Sequence, residues 1–161
     1  MDKIEISAQG AWAGDLPENT KIDFQIDGVF RAHCSNLQRI RQFLRRACKA
    51  GIKYHKDPDL VEKLELAVNE ISCSIIQCGI DHENTCEPAI HINIKITSGC
   101  IIFEFGYAGT PLYHQAPDCP ESDSYKSQNC SLFVIDELTD KVCYWSDDTN
   151  CKVFMMKQFE A

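Results

Sequence analysis

The spacing of apolar residues changes period several times along the chain, and each change marks an element. IDFQI (22–26) alternates apolar and polar positions, the period of a half-buried strand. Leu37, Ile40, Phe43, Leu44 and Ala47 then recur at helical spacing, with Ser35 as candidate cap, Asn36 as first residue and Gly51 as stop. A second helical pattern runs through Leu60, Leu64, Ala67, Val68, Ile71, Ile75 and Cys78, with Asp57 as candidate cap and Pro58 in its first turn. AIHINIKIT (89–97) alternates strictly, Ser98-Gly99 reads as a turn, and CIIFEFGY (100–107) follows as an antiparallel partner with Ile101, Phe103 and Phe105 inward. Residues 111–130 hold three prolines and no periodicity, so 112–130 reads as a long lid-like loop. SLFVIDELTDKV (131–142) begins as a helix and enters a strand. VCYWS (142–146) and CKVFMMKQF (151–159) close the chain as a hairpin around DDTN. Residues 1–20 fit a first strand or a loose arm.

Hairpins segregated from long helices predict an α+β fold: a two-layer sandwich with a mixed or antiparallel sheet and helices on one face, as a single domain over 1–161. A chain of 161 residues with 44% apolar and 25% charged residues supports one such core. No apolar run approaches the ~20 residues that span a bilayer. MDKIEISAQG lacks the apolar stretch of a signal peptide, so a cytoplasmic protein with reduced thiols is expected despite ten cysteines. No Cys-x-x-Cys pair occurs; His82 with Cys86, and His114 with Cys119, are the candidate metal half-sites. Cys34, Cys48, Cys73, Cys78 and Cys100 read instead as small apolar residues in or near the core. A net charge of -8 argues against general nucleic-acid binding. Against that background the first helix carries Arg39, Arg41, Arg45, Arg46 and Lys49, either a solvated face or a surface for an acidic partner.

One acid stands out. At ~100° per residue, Glu70 falls on the flank of the apolar face of the second helix, with Ser74 stacked one turn on. LELAVNEISCSIIQCG (64–79) resembles the N-box helix of the GHKL (histidine-kinase-like) ATPase fold, and within it the anti-sigma-factor/serine kinases of bacterial partner-switching systems. The resemblance extends over about 20–159. It implies that Glu70 faces an ATP cleft as the acid that orients or deprotonates the attacking hydroxyl. It puts Ser74 at the magnesium-binding asparagine and Cys78 at a histidine. FEFGYAGTPLYH (103–114) resembles the next motif, with Gly109 and Pro111 in place and Tyr107 where an aspartate reads adenine. NCSLFVIDELTDKVCYW (129–145) resembles the last motif, with Asn129 and Ser131 at two phosphate-loop glycines.

These departures bear on ATP and Mg²⁺, the cofactors that the resemblance implies. A phenol does not supply the acceptors of a carboxylate, and its ring would occupy the purine slot. All eight glycines lie at or before Gly109, so the expected phosphate loop has none. Three readings stay open. One is a regulator that binds a sigma factor or STAS-type antagonist, has weak or lost ATP binding, and pairs with itself as some relatives do. Another is an active serine/threonine kinase that phosphorylates a STAS-type anti-anti-sigma partner. The last is an unrelated α+β domain.

Overall fold

The computed structural model describes residues 4–7, 19–112 and 134–160. One mixed sheet is built from β1 (Ile4–Ser7), β2 (Phe24–Arg31), β3 (Ala89–Ile96), β4 (Cys100–Ala108), β5 (Lys141–Ser146) and β6 (Asn150–Gln158). Its order is β1-β5-β6-β4-β3-β2. β1 runs parallel to β5, with Ile4 opposite Val142, and every other neighbouring pair is antiparallel. Helices α1 (Leu37–Gly51) and α2 (Leu60–Ser74) pack side by side, α2 continues as a π-helical turn over Ile75–Gly79, and residues 134–138 are helical.

The strict alternation of β3 decides which face the helices cover. Ile90, Ile92, Ile94 and Ile96 are all buried and join one cluster with Ile40 and Leu44 of α1 and Leu64, Val68 and Ile71 of α2. Ile101, Phe103 and Phe105 of β4 stand in register on the same side. Burying each such side chain contributes about 1.5–3 kcal/mol of transfer free energy. Ile102, Cys143 and Phe154 form a smaller cluster on the other face of the sheet. The α+β sandwich anticipated from the alternation is therefore the fold.

Element ends shift where local polar groups decide. The strand expected at 22–26 occupies Phe24–Arg31, because the alternation continues through exposed Asp27, Val29 and Arg31. Ser35 does not cap α1. It lies in a 3₁₀ turn (Cys34–Asn36) where its own N–H donates to His33 Nδ1 at 3.1 Å, and Asn36 takes the cap position with its side chain bonded to Arg31 O instead of to the helix. Cys34 is exposed rather than in the core, because it sits on that turn. Of the basic stripe, Arg45 is engaged: its guanidinium grips both carboxylate oxygens of Glu65 at 2.7 and 2.9 Å, tying α1 to α2.

Three aspartates hold turns together, and each carboxyl lies below its ordinary range. Asp57 is lowered first by Lys63, whose ammonium donates to it, and then by the Asp59 N–H. Asp81 is lowered first by the Asn84 side-chain amide, and Asp147 by the Asn150 and then the Thr149 N–H. A carboxyl whose folded pKa lies below its unfolded value stabilises the fold above about pH 3.9, and that contribution fades as pH falls through the lowered value. The thermal midpoint should stay flat from about pH 7 to 5 and fall below about pH 4. A triple variant Asp57→Asn, Asp81→Asn, Asp147→Asn should start lower at pH 7 and show a shallower acid limb in calorimetric scans.

Candidate functional site

Of the residues singled out by the motifs, those described lie along two elements that meet at one point. Glu70 is half-buried on the flank of α2, and Ser74, one turn on, is 4% exposed. Cys73 lies beside them. Burial, and then the neighbouring Glu70 carboxylate, push its thiol up. Cys78 falls inside the π-helical turn. The apolar run Ile71, Ile75 and Ile76 continues past the regular helix, and the turn ends where the Ile80 N–H donates to Ile75 O at 3.0 Å.

Tyr107, Gly109 and Pro111 come from the end of β4 and meet α2 at its far end. Tyr107 is 4% exposed, its phenol donates to Thr110 O at 2.9 Å, and burial raises it well above its ordinary pKa. Its ring rests on Gly79, where a Cβ would approach ring carbon Cε2 to 2.7 Å. Thr110 N–H then donates to Gly79 O at 2.7 Å, and Gly109 N–H to Thr149 O at 3.0 Å. Cys151 Sγ donates to Gly109 O at 3.3 Å. The end of α2, the end of β4 and the β5–β6 turn are thus sewn together at Gly109. Its φ of +154° and the 2.0 Å between a built Cβ and Gly79 O leave no room for a side chain.

Glu70 lies nine residues before Gly79, about 13 Å along the helix, so the structure groups Glu70 with Ser74 and groups Tyr107 with Gly109. Asn129 and Ser131 lie outside the described residues, as do 113–130 of the expected lid and the His114–Cys119 half-site. The other half-site does not assemble: among the described residues no three His, Cys, Asp or Glu side chains converge on a metal position. His82 Nε2 instead lies 2.7 Å from Ile76 O and closes the π-helical turn. Gly79, Thr110, Thr149 and Cys151 were not foreseen. Only the helix-ending Gly79 left a trace, since glycine after an apolar periodic run is a stop signal.

No protein-family model matches the sequence, and neither does any curated protein. Among solved structures, the chain is similar to the crystal structure of the RsbU and RsbW domains of Rv1364c from Mycobacterium tuberculosis. The two share 10% identity with a TM-score of 0.59, over 85% of this chain and 33% of that one. The chain therefore spans about a third of the length of the structure it matches. Among the described residues, no helix is long and apolar enough to cross a membrane. The chain shares the α+β sandwich fold of that structure.

The junction makes its own prediction. Gly109→Ala combines backbone strain of about 1–3 kcal/mol with a displaced Thr110–Gly79 hydrogen bond of about 1 kcal/mol. Urea unfolding should show a loss of about 2–4 kcal/mol for Gly109→Ala, and about 1–3 kcal/mol for Tyr107→Phe, which strands a carbonyl. Equal midpoints for Gly109→Ala and the parent protein would remove the junction from the account.

Proposed function

We propose that the protein is a regulator that works by binding another protein, with the nucleotide cleft of its fold closed by its own side chains. The observation that carries this is Tyr107. At the position where the resemblance calls for an adenine-reading carboxylate, the phenol is 4% exposed, its ring abuts Gly79, and it donates to Thr110 O at 2.9 Å. A purine has two requirements there, a flat slot and acceptors for its amino group. The slot is filled, and the tyrosine offers a hydroxyl already committed as a donor. The residues present do not fit adenine. Ser74, the position proposed for magnesium, is 4% exposed, and its short hydroxyl is a poorer ligand than an amide carbonyl.

The partner that this reading favours is the sigma-factor or STAS-type protein of a partner-switching system. It rests on the likeness of fold and motif described above. The competing reading, a kinase with Glu70 as base, draws on the half-buried flank position of that carboxylate.

Calorimetric titration separates the two. Losing the adenine acceptor costs ~1–3 kcal/mol, and at ~1.4 kcal/mol per tenfold a micromolar site moves toward millimolar. ATP·Mg²⁺ should therefore give no saturable heat at micromolar concentrations. A low-micromolar dissociation constant would overturn the proposal. So would phosphoryl transfer to a STAS-type protein that is lost in Glu70→Ala.

A further inference from the structure

Among the described residues, β2 is an edge of the sheet and its backbone is open on one side. The Ala32 N–H donates to Pro88 O at 2.9 Å, which fixes the phase of the β2–β3 ladder: even-numbered residues of β2 face β3. Gln25, Asp27 and Val29 therefore direct both N–H and C=O away from the sheet. Among the described residues nothing bonds to those backbone groups. One end of the open stretch is closed, because Arg31 O already accepts from the His33 N–H and from Asn36 Nδ2 at 3.0 Å. Val29 in the middle is 63% exposed, an uncommon position for a valine on a free edge.

The helix above this edge is turned so that its cations overhang it. Phe43 of α1 packs edge-on against Phe30 of β2, with ring centroids 5.3 Å apart. Arg45, on the other flank, reaches α2 through Glu65. At ~100° per residue, Arg39 and Arg46 stand one turn either side of Phe43 and share its flank, the one toward β2. Both are exposed, and neither has a carboxylate within ion-pair distance among the described residues, whereas Arg45, Lys63 and Lys152 each have one. In a chain of net charge -8, two uncompensated guanidinium groups beside an unpaired strand are a directed feature.

We propose that this edge is a docking site for an extended acidic segment of a partner protein, which adds to the sheet beside β2. This rests on the reading of the protein as a partner-binding regulator and names the surface and the chemistry of the partner. Backbone hydrogen bonds to Gln25, Asp27 and Val29 supply the pairing, as in other strand additions. Side chains of the added strand alternate between faces, ~6.8 Å apart on each. Those on the helix side meet Arg39 and Arg46, which are ~10.5 Å apart along α1 and long enough to reach acids two or four residues apart. Those on the other side meet Val29, so the segment carries acids on one face and an apolar residue on the opposite one. Nucleic acid satisfies the arginines but not the strand pairing, and Asp27 on the same edge repels it.

The probe is a fluorescein-labelled nine-residue peptide of alternating Glu and Val, compared with its Lys and Val counterpart by anisotropy. The Glu peptide should bind and slow amide exchange at Gln25, Asp27 and Val29 in the intact protein, and the Lys peptide should not bind. Val29→Pro removes an outward N–H and leaves the β2–β3 ladder intact, so binding should weaken about tenfold or more. Arg39→Glu with Arg46→Glu should weaken it similarly and flatten its salt dependence. Equal affinity in a folded Val29→Pro variant, exchange protection elsewhere, equal binding of the Lys peptide, or no binding at millimolar peptide each overturns the proposal. If Val29→Pro does not fold, exchange at Val29 in the parent protein decides. Neither result depends on ATP: a nucleotide-binding protein with an occupied edge would sink the regulatory reading alone. A partner bound through another surface would sink the edge alone.

Discussion

The hydrogen bond from Thr110 to Gly79 fixes where α2 ends relative to the sheet, and much of the molecule follows from it. It forms because neither partner segment has a side chain in the way: Gly79 on the helix and Gly109 on the strand come within backbone contact. That approach sets the height of α2 over β3 and β4, and so the depth of the isoleucine layer beneath it. It also brings the β5–β6 turn against Gly109, so the two hairpins and the helix are held at one end by backbone bonds, with Tyr107 and Cys151 adding one side-chain bond each. The same stitch holds the Tyr107 ring against Gly79, with its phenol bonded to Thr110 O.

The parts of the fold that were legible in the sequence are those governed by period. Four isoleucines at alternate positions of β3 leave no choice of face, and the α1 pattern from Leu37 to Ala47 leaves none for the helix. The parts that were not legible are those governed by who meets whom. Nothing local says that His33 will take the amide of Ser35, or that α2 will widen into a π-helical turn where its apolar stripe runs on through Ile75 and Ile76. At the candidate site, the sequence located Glu70, Ser74 and Tyr107 on the right elements. It could not show that Tyr107 would bond to Thr110, since the partner is defined by a turn and not by a pattern.

Charge is distributed in the same uneven way. Much of the acidity of the described chain sits in turns, where carboxylates bind backbone N–H groups, as at Asp81 and Asp147. Among the described residues, the cations of α1 have no such local work apart from Arg45. A helix that needed only to cover a sheet would be served by mixed charges along its outer face. The absence of any acid between Leu37 and Gly51 sets this helix apart from α2, which carries Glu62, Glu65 and Glu70.

The parallel pairing of β1 with β5 has a consequence in time. Ile4 stands opposite Val142, so a strand from the beginning of the chain is held by one near its end, with almost every other element between them. Closing so long a loop is entropically costly, and contacts of this kind slow folding. β5 pairs locally with β6 across a short turn, and β3 with β4 likewise, so both hairpins can form from neighbours. Among the described residues β1 pairs with β5 alone. It therefore joins the sheet late, after β5 has formed the edge on which it pairs. Until then the outer edge of β5 lacks its parallel partner, and an open ladder of that kind invites other strands.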